Sequence, residues 1–206
     1  IIQRISGGLM PLTGTIDRNQ YYTFNSVNNL VPKKEYEDYL SFFLALINSK
    51  LINWYYAIKF SNRSNLTVNI SKTFLEILPI KLSSDKLILK KFQTMVDNLL
   101  EFNKDFQKIL SNSINLIESK FDNIENNRKI NAWYKLDFKE FISELNKNSV
   151  SLKISEEAEW MQYFNEQKQK AEELIEKIDK TENKIDQMVY QLYNLTNEEI
   201  EIVERS

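Results

Sequence analysis

Two short polar stretches hold side chains suited to reading hydrogen-bonding edges. Asp17-Arg18-Asn19 and Asn62-Arg63-Ser64-Asn65 each set an arginine beside asparagines. An arginine fork offers two donors that fit the acceptor pair of guanine, while asparagine offers one donor and one acceptor that fit adenine. Arg18, Asn19, Asn62, Arg63, Ser64 and Asn65 are therefore the candidates for base-edge contact with double-stranded DNA. Arg4, Lys33, Lys34 and Lys72 are the candidates for phosphate contact, which positions a protein without reading sequence. Polar loops of this kind also occur on surfaces with no such role, so the letters need a frame around them.

Other chemistry is poorly supplied. The chain of 206 residues has no cysteine and no histidine. That excludes a disulfide framework, a Cys/His zinc site, and a Cys–His or Ser–His–Asp nucleophile. The three glycines, Gly7, Gly8 and Gly14, make no phosphate-cradling loop and no dinucleotide fingerprint. Glu156-Glu157-Glu159 and Glu172-Glu173-Glu176 fall on polar helix faces beside lysines, where a solvated face explains them. Glu118-Ser119-Lys120 has the letters of a metal-dependent nuclease but lies mid-helix with no acidic partner nearby. No Asn-Pro-Pro-aromatic segment is present, so no site for amino-group methylation of a base is expected in these residues. The expectation is a non-catalytic chain with no metal and no cofactor of its own.

Charge divides along the chain. Residues 1–92 carry 12 Lys+Arg against 6 Asp+Glu, and residues 93–206 carry 15 against 23. A basic first half suits a polyanion, and an acidic second half suits a protein surface better than phosphates. No apolar run is long enough to cross a membrane. The chain begins Ile-Ile with no leader-like segment, and it reads as a cytoplasmic fragment of something longer.

The elements that must position the candidates change character near residue 84. "IIQRIS", "LMPLTGTID" and "YYTFNSVNNLV" read as three strands, with Pro11 bending the second. Their aromatic residues, and those of a helix over 36–60, fall at spacings that suit a core better than a base-stacking surface. "NLTVNISKTFLEILPI" moves from strand alternation to a clipped helix opened by Ser71 and stopped before Pro79. Beyond it, Ser83 or Ser84 caps a helix with a stripe from Phe92 to Phe121, and Trp133–Leu145 forms a shorter one. Ser155 caps a second long helix with Ala171, Leu174, Ile178, Thr181, Ile185, Met188, Leu192 and Leu195 on heptad positions. Thr196-Asn197-Glu198-Glu199 is a capping box.

The expected fold class is α+β. A small mixed α/β recognition lobe over 1–84 is followed by a long antiparallel helical arm over 85–206, with long helices at about 85–124 and 156–193.

The stretch "YLSFFLALINSKLINWYYAIKFSNRSNLTVNISKTFLEILPI" resembles the target-recognition region of bacterial restriction–modification methyltransferases. The segment "NAWYKLDFKEFISELNKN…SLKISEEAEWMQYF" and the tail "IEKIDKTENKIDQMVYQLYNLTNEEIEIVE" extend the likeness. The chain is thus similar to the TaqI-like C-terminal specificity domain of type IIG-like adenine-N6 DNA methyltransferases. Asn194 stands where that family often has glycine, and asparagine tolerates the same left-handed backbone.

The resemblance implies DNA target recognition as part of bacterial defence. Catalysis would lie in a preceding methyltransferase domain of the same parent chain, which uses S-adenosylmethionine and in some relatives is joined to a nuclease. Two alternatives stand beside it. One is a helical protein–protein interaction module, discriminated by whether the heptad stripe is covered within the chain. The other is a specificity subunit of a multi-subunit restriction system, which normally carries two recognition lobes where one is visible here.

Overall fold

The computed structural model describes residues 1–6, 8, 10–19, 21–60, 68–121, 124 and 128–205. The fold is α+β, with a little antiparallel sheet and long helices. Two compact units divide it: residues 1–100 with 181–206, and residues 101–180.

In the first unit the opening strand is the hub. Its halves, β1 (Ile2–Gln3) and β2 (Ile5–Ser6), pair antiparallel with β3 (Val27–Asn28) and β4 (Val68–Asn69). Ile2 also bridges Gly14 on its other side. Arg4 joins the pairs, since its N–H donates to the Ser26 carbonyl at 2.9 Å and its carbonyl accepts the Ile70 N–H at 2.7 Å. The Asn28 side-chain amide donates to the Ile70 carbonyl at 2.9 Å, tying β3 to β4 end to end.

The second and third expected strands are mostly irregular. Around Gly14, Asn48 does the work of a neighbouring strand: its Oδ1 accepts the Gly14 N–H at 2.7 Å and its Nδ2 donates to the Gly14 carbonyl at 3.0 Å. A Cβ at Gly14 would meet Leu44 Cδ1 at 3.2 Å and the Ile1 carbonyl at 3.3 Å, so a side chain there requires these neighbours to give by a few tenths of an ångström.

The helix expected over 36–60 is divided. A 3₁₀ turn over Lys34–Tyr39 leads into α1 (Leu40–Asn48), and α2 (Lys50–Phe60) follows after Ser49 takes an extended conformation. The buried Asn53 side chain stitches the break. Its Nδ2 donates to the carbonyls of Ile47 and Ser49 at 3.0 and 3.1 Å, and its Oδ1 accepts the Leu12 N–H at 2.7 Å. The core of this unit is the buried face of α1 and α2, with Ile2, Leu12, Ile70, Phe92, Val96, Ile185, Val189 and Tyr190.

Ser71 caps α3 (Lys72–Glu76), accepting the Phe74 N–H at 3.3 Å, as its position in the sequence suggested. The exit past Pro79 is pinned by Tyr193, whose hydroxyl donates to the Pro79 carbonyl at 2.6 Å and accepts the Lys81 N–H at 3.0 Å. Asp85, rather than Ser83 or Ser84, caps α4 (Lys86–Lys120): its carboxylate accepts the Leu87 N–H at 2.7 Å.

In the second unit, α5 (Arg128–Asn131) and a 3₁₀ turn at Trp133–Lys135 precede α6 (Phe138–Lys147). Asp137 and Glu140 form a capping box on α6. The long helix α7 (Ile154–Tyr193) already includes Ser155, so that serine is not its cap. Inside this unit Phe121 meets Trp160 at 5.2 Å, the Ser113 and Tyr163 hydroxyls lie 3.3 Å apart, and Lys177 sits over Phe102 at 5.9 Å. One number rises as the other falls, so α4 and α7 run antiparallel here. Trp133, Phe141, Leu145 and Phe164 fill the core between them.

The last helix, α8 (Asn197–Glu204), opens with the Thr196/Glu199 capping box. Before it Asn194 takes a left-handed φ of 55°, and the Leu195 N–H closes back on the Tyr190 carbonyl at 3.1 Å. All eight heptad residues from Ala171 to Leu195 are buried or half-buried. Ile185, Met188, Leu192 and Leu195 of the stripe pack into the core of the first unit.

Candidate nucleic-acid interface

The segment from Asp17 to Asn28 joins the Gly14 bridge to β3 and holds the first candidates. Asp17 folds it: one carboxylate oxygen accepts the Asn19 N–H and the other the Tyr21 N–H, each at 2.8 Å. A side chain bonding backbone a few residues ahead mimics a backbone turn and fixes its geometry. The Asn19 side-chain amide then donates to the Tyr21 hydroxyl at 3.1 Å. Arg18 reaches Asp97 on α4 at 3.1 Å, and the two side chains are 67% and 45% exposed. At that exposure the pair is worth about 0–1 kcal/mol, so acceptors on a ligand compete for the fork at small cost.

Arg4 lies at the base of the same segment, half-buried. Its Nη1 donates to the Asn25 carbonyl at 3.2 Å and its Nε to Asn69 Oδ1 at 3.5 Å. The guanidinium braces the segment against β4. Lys33 and Lys34 are exposed at the entry to the 3₁₀ turn, with no ion pair among the described residues. Lys72, the first residue of α3, is exposed and faces Glu76 at 3.5 Å. The structure thus connects Arg4, Arg18 and Asn19 through one braced loop, and it leaves Lys33, Lys34 and Lys72 on separate elements. Asn62, Arg63, Ser64 and Asn65 lie outside the described residues.

Two features escaped the sequence reading. Asp97 stands 79 positions from Arg18 on a helix otherwise read as arm, and no local signal joins them. Tyr21, Tyr22 and Phe24, assigned by their alternation to a core strand, are exposed at 70%, 103% and 91%. The sequence signal that bears on this is the pair of turn-formers around them, Asp17-Arg18-Asn19 before and Asn25-Ser26 after.

Charge is redistributed by the fold. The first unit gathers the basic residues 1–92, Asp97 and the acidic segment 181–206, so it carries 14 Lys+Arg against 13 Asp+Glu. Its attraction for a polyanion is local to particular loops, not a property of the whole unit. The acidic segment is held by Lys50, at the start of α2. The Lys50 N–H donates to Asp186 Oδ1 at 2.9 Å, its ammonium reaches Glu204 Oε2 at 2.7 Å, and the Tyr190 hydroxyl donates to Glu204 Oε1 at 2.8 Å.

Burial raises the Asp186 pKa against the pull of Lys50. Burial also opposes the Lys50 ammonium, but the Glu204 hydrogen bond and the charges of Glu204, Asp186 and Glu182 outweigh it and raise its pKa. For Glu204, burial likewise opposes the charged form, and the bonds from Lys50 and Tyr190 outweigh it and lower the pKa.

The same unit contains an apolar cavity of about 410 Å³, lined by residues that include Ile16, Val31, Tyr36, Phe43, Leu78 and Leu82. Its lining holds no Lys, Arg, Asp or Glu side chain and is mostly apolar. Among the described residues no three acidic side chains gather as a metal site. None of their helices is long and apolar enough to cross a membrane.

Residues 1–80 match the model of the TaqI-like C-terminal specificity domain. Residues 85–189, just over half of the chain, match a family described as a domain of unknown function, DUF8810, and the chain belongs to that family. No curated protein and no solved structure matches the chain.

Proposed function

We propose that the chain recognises sites on double-stranded DNA as the specificity region of a restriction–modification system. The observation that carries this reading is the match of residues 1–80 to the TaqI-like C-terminal specificity domain. The braced loop with Arg18 and Asn19 supports it, because an exposed arginine weakly held by a carboxylate suits a guanine edge. Arg63 and its neighbours Asn62, Ser64 and Asn65 are assigned the same work on the strength of residue type alone. Lys33, Lys34 and Lys72 take phosphates, and Arg4 contributes charge at the loop base while bracing it.

The chemistry is assigned to a separate methyltransferase domain of the parent chain. That domain would use S-adenosylmethionine to modify an adenine N6 and take its base out of the duplex. A type IIG arrangement, with a nuclease in the same chain and a cytoplasmic place of work, fits this reading.

The test is fluorescence anisotropy of the chain with random-sequence duplex DNA at about 50 and 200 mM salt. Binding that weakens with salt is expected, with a modest slope because the cations are few and local. No binding at the lower salt contradicts the proposal.

A further inference from the structure

We propose that Tyr22 and Phe24 form an aromatic wedge that stacks on bases where a DNA duplex opens. The inference rests on the DNA-recognition reading of residues 1–80 and adds a binding element that reads the state of the stack instead of base edges. Single exposed apolar side chains are common and need no explanation. Here three rings stand within four residues, and Tyr22 and Phe24 give almost their whole surface to solvent. Neither contributes to the core of its unit.

The backbone that carries the rings is not loose. Asp17 fixes the Asn19 and Tyr21 N–H groups, and the Asn19 amide holds the Tyr21 hydroxyl. On the far side the Asn29 amide donates to Thr23 Oγ1 at 2.6 Å, the Val27 N–H to the Phe24 carbonyl at 3.3 Å, and Arg4 holds both the Asn25 and the Ser26 carbonyls. A loop braced on both sides presents its rings with little further ordering cost on binding.

Charge and polarity select the occupant. Arg18 lies four residues before Tyr22 in the chain and pairs with Asp97, and the Arg4 guanidinium donates to the carbonyl of Asn25, the residue after Phe24, so each end of the segment holds a cation. Between and after the rings come Thr23, Asn25, Ser26, Asn28 and Asn29, which are hydrogen-bonding residues. A cation at each end, a polar backbone segment between and bare rings that offer their faces together match an opened nucleic acid. Every base has a π-face, so stacking is tolerant of sequence, and apolar side chains inserted at base steps are an established way to hold a duplex open.

The test compares two labelled duplexes of one random sequence, identical except that one has a single-nucleotide gap that leaves a base unstacked. The chain is expected to bind the gapped duplex roughly tenfold tighter than the intact one. Tyr22→Ala with Phe24→Ala should abolish that preference while leaving intact-duplex affinity and its salt slope within about twofold. Tyr22→Phe should keep it. Both rings lie outside the core, so thermal unfolding of the variants should match the parent chain. Equal binding of the two duplexes by the parent chain overturns the wedge and leaves DNA recognition standing. No binding to either overturns both. A double variant that loses both duplexes equally makes the rings a general docking patch and also overturns the wedge.

Discussion

Arg18 and Asp97, 79 positions apart in the chain, meet at 3.1 Å on the surface of the first unit. The carboxylate occupies donors that the proposed function assigns to a base edge. Asp97→Asn should free the fork and remove a negative charge from the approach, tightening binding to duplex DNA by up to roughly fivefold. Stability should change by less than about 1 kcal/mol, because the pair is exposed. Titrating the variant and the parent chain side by side decides it, and weaker binding by Asp97→Asn would remove Arg18 from the interface.

Lys33 and Lys34 are exposed cations with no ion pair among the described residues. If both meet phosphates, replacing them with alanine reduces the slope of log affinity against log salt by about 2. Sequence preference should be unchanged, since phosphate contacts carry none. A slope equal to that of the parent chain would place them away from the DNA.

Asn53 links the break between α1 and α2 to the strand residue Leu12 through three hydrogen bonds, all buried. Asn53→Ala takes the side-chain partner from the buried Leu12 N–H and from the Ile47 carbonyl, while the Ser49 carbonyl keeps the Asn53 backbone N–H, and should destabilise the chain by about 3 kcal/mol. Urea unfolding measures this directly, and a loss under about 1 kcal/mol would mean that water or a shift of Leu12 replaces the amide.

Stability should fall in alkali. Burial, reinforced by the bond to Glu204, raises the Tyr190 pKa above its ordinary 10.0, and the Lys50 pKa is raised above 10.5. Both groups hold their protons more tightly folded than unfolded. The stability this gives is complete below those ordinary values and is lost as pH rises through the higher folded ones. Burial raises Tyr56 and Tyr193 in the same direction. Tyr190→Phe should therefore flatten the alkaline fall while costing about 1 kcal/mol at neutral pH. An alkaline limb as steep as the parent's would show that Tyr190 has no part in it.

Much of the helical fold was legible because its signals are local. Ser71, Pro79 and the Thr196/Glu199 box act within a turn of themselves, and the left-handed backbone at Asn194 was expected from the resemblance to a family that often has glycine there. The fold class was legible for the same reason. The failures are long-range. Nothing near Ser49 announces that Asn53 will satisfy a break in the helix, and nothing near residue 186 announces that Asp186 will accept a hydrogen bond from the start of α2.

Half charges mislead for a related reason. The acidic tail reads as part of an arm, yet Glu204 closes onto Lys50 in the first unit. In the interface, Asp17-Arg18-Asn19 was visible as a turn with recognition chemistry, whereas Tyr22 and Phe24 alternate like core residues and only the folded loop shows them bare.

The most direct test of the central claim is selection of bound duplexes from a fully random DNA pool by the chain, followed by sequencing over successive rounds. The expected result is enrichment of one short shared motif that Arg18→Ala weakens or relaxes at a defined position. A bound pool with the composition of the input would contradict site recognition by these residues.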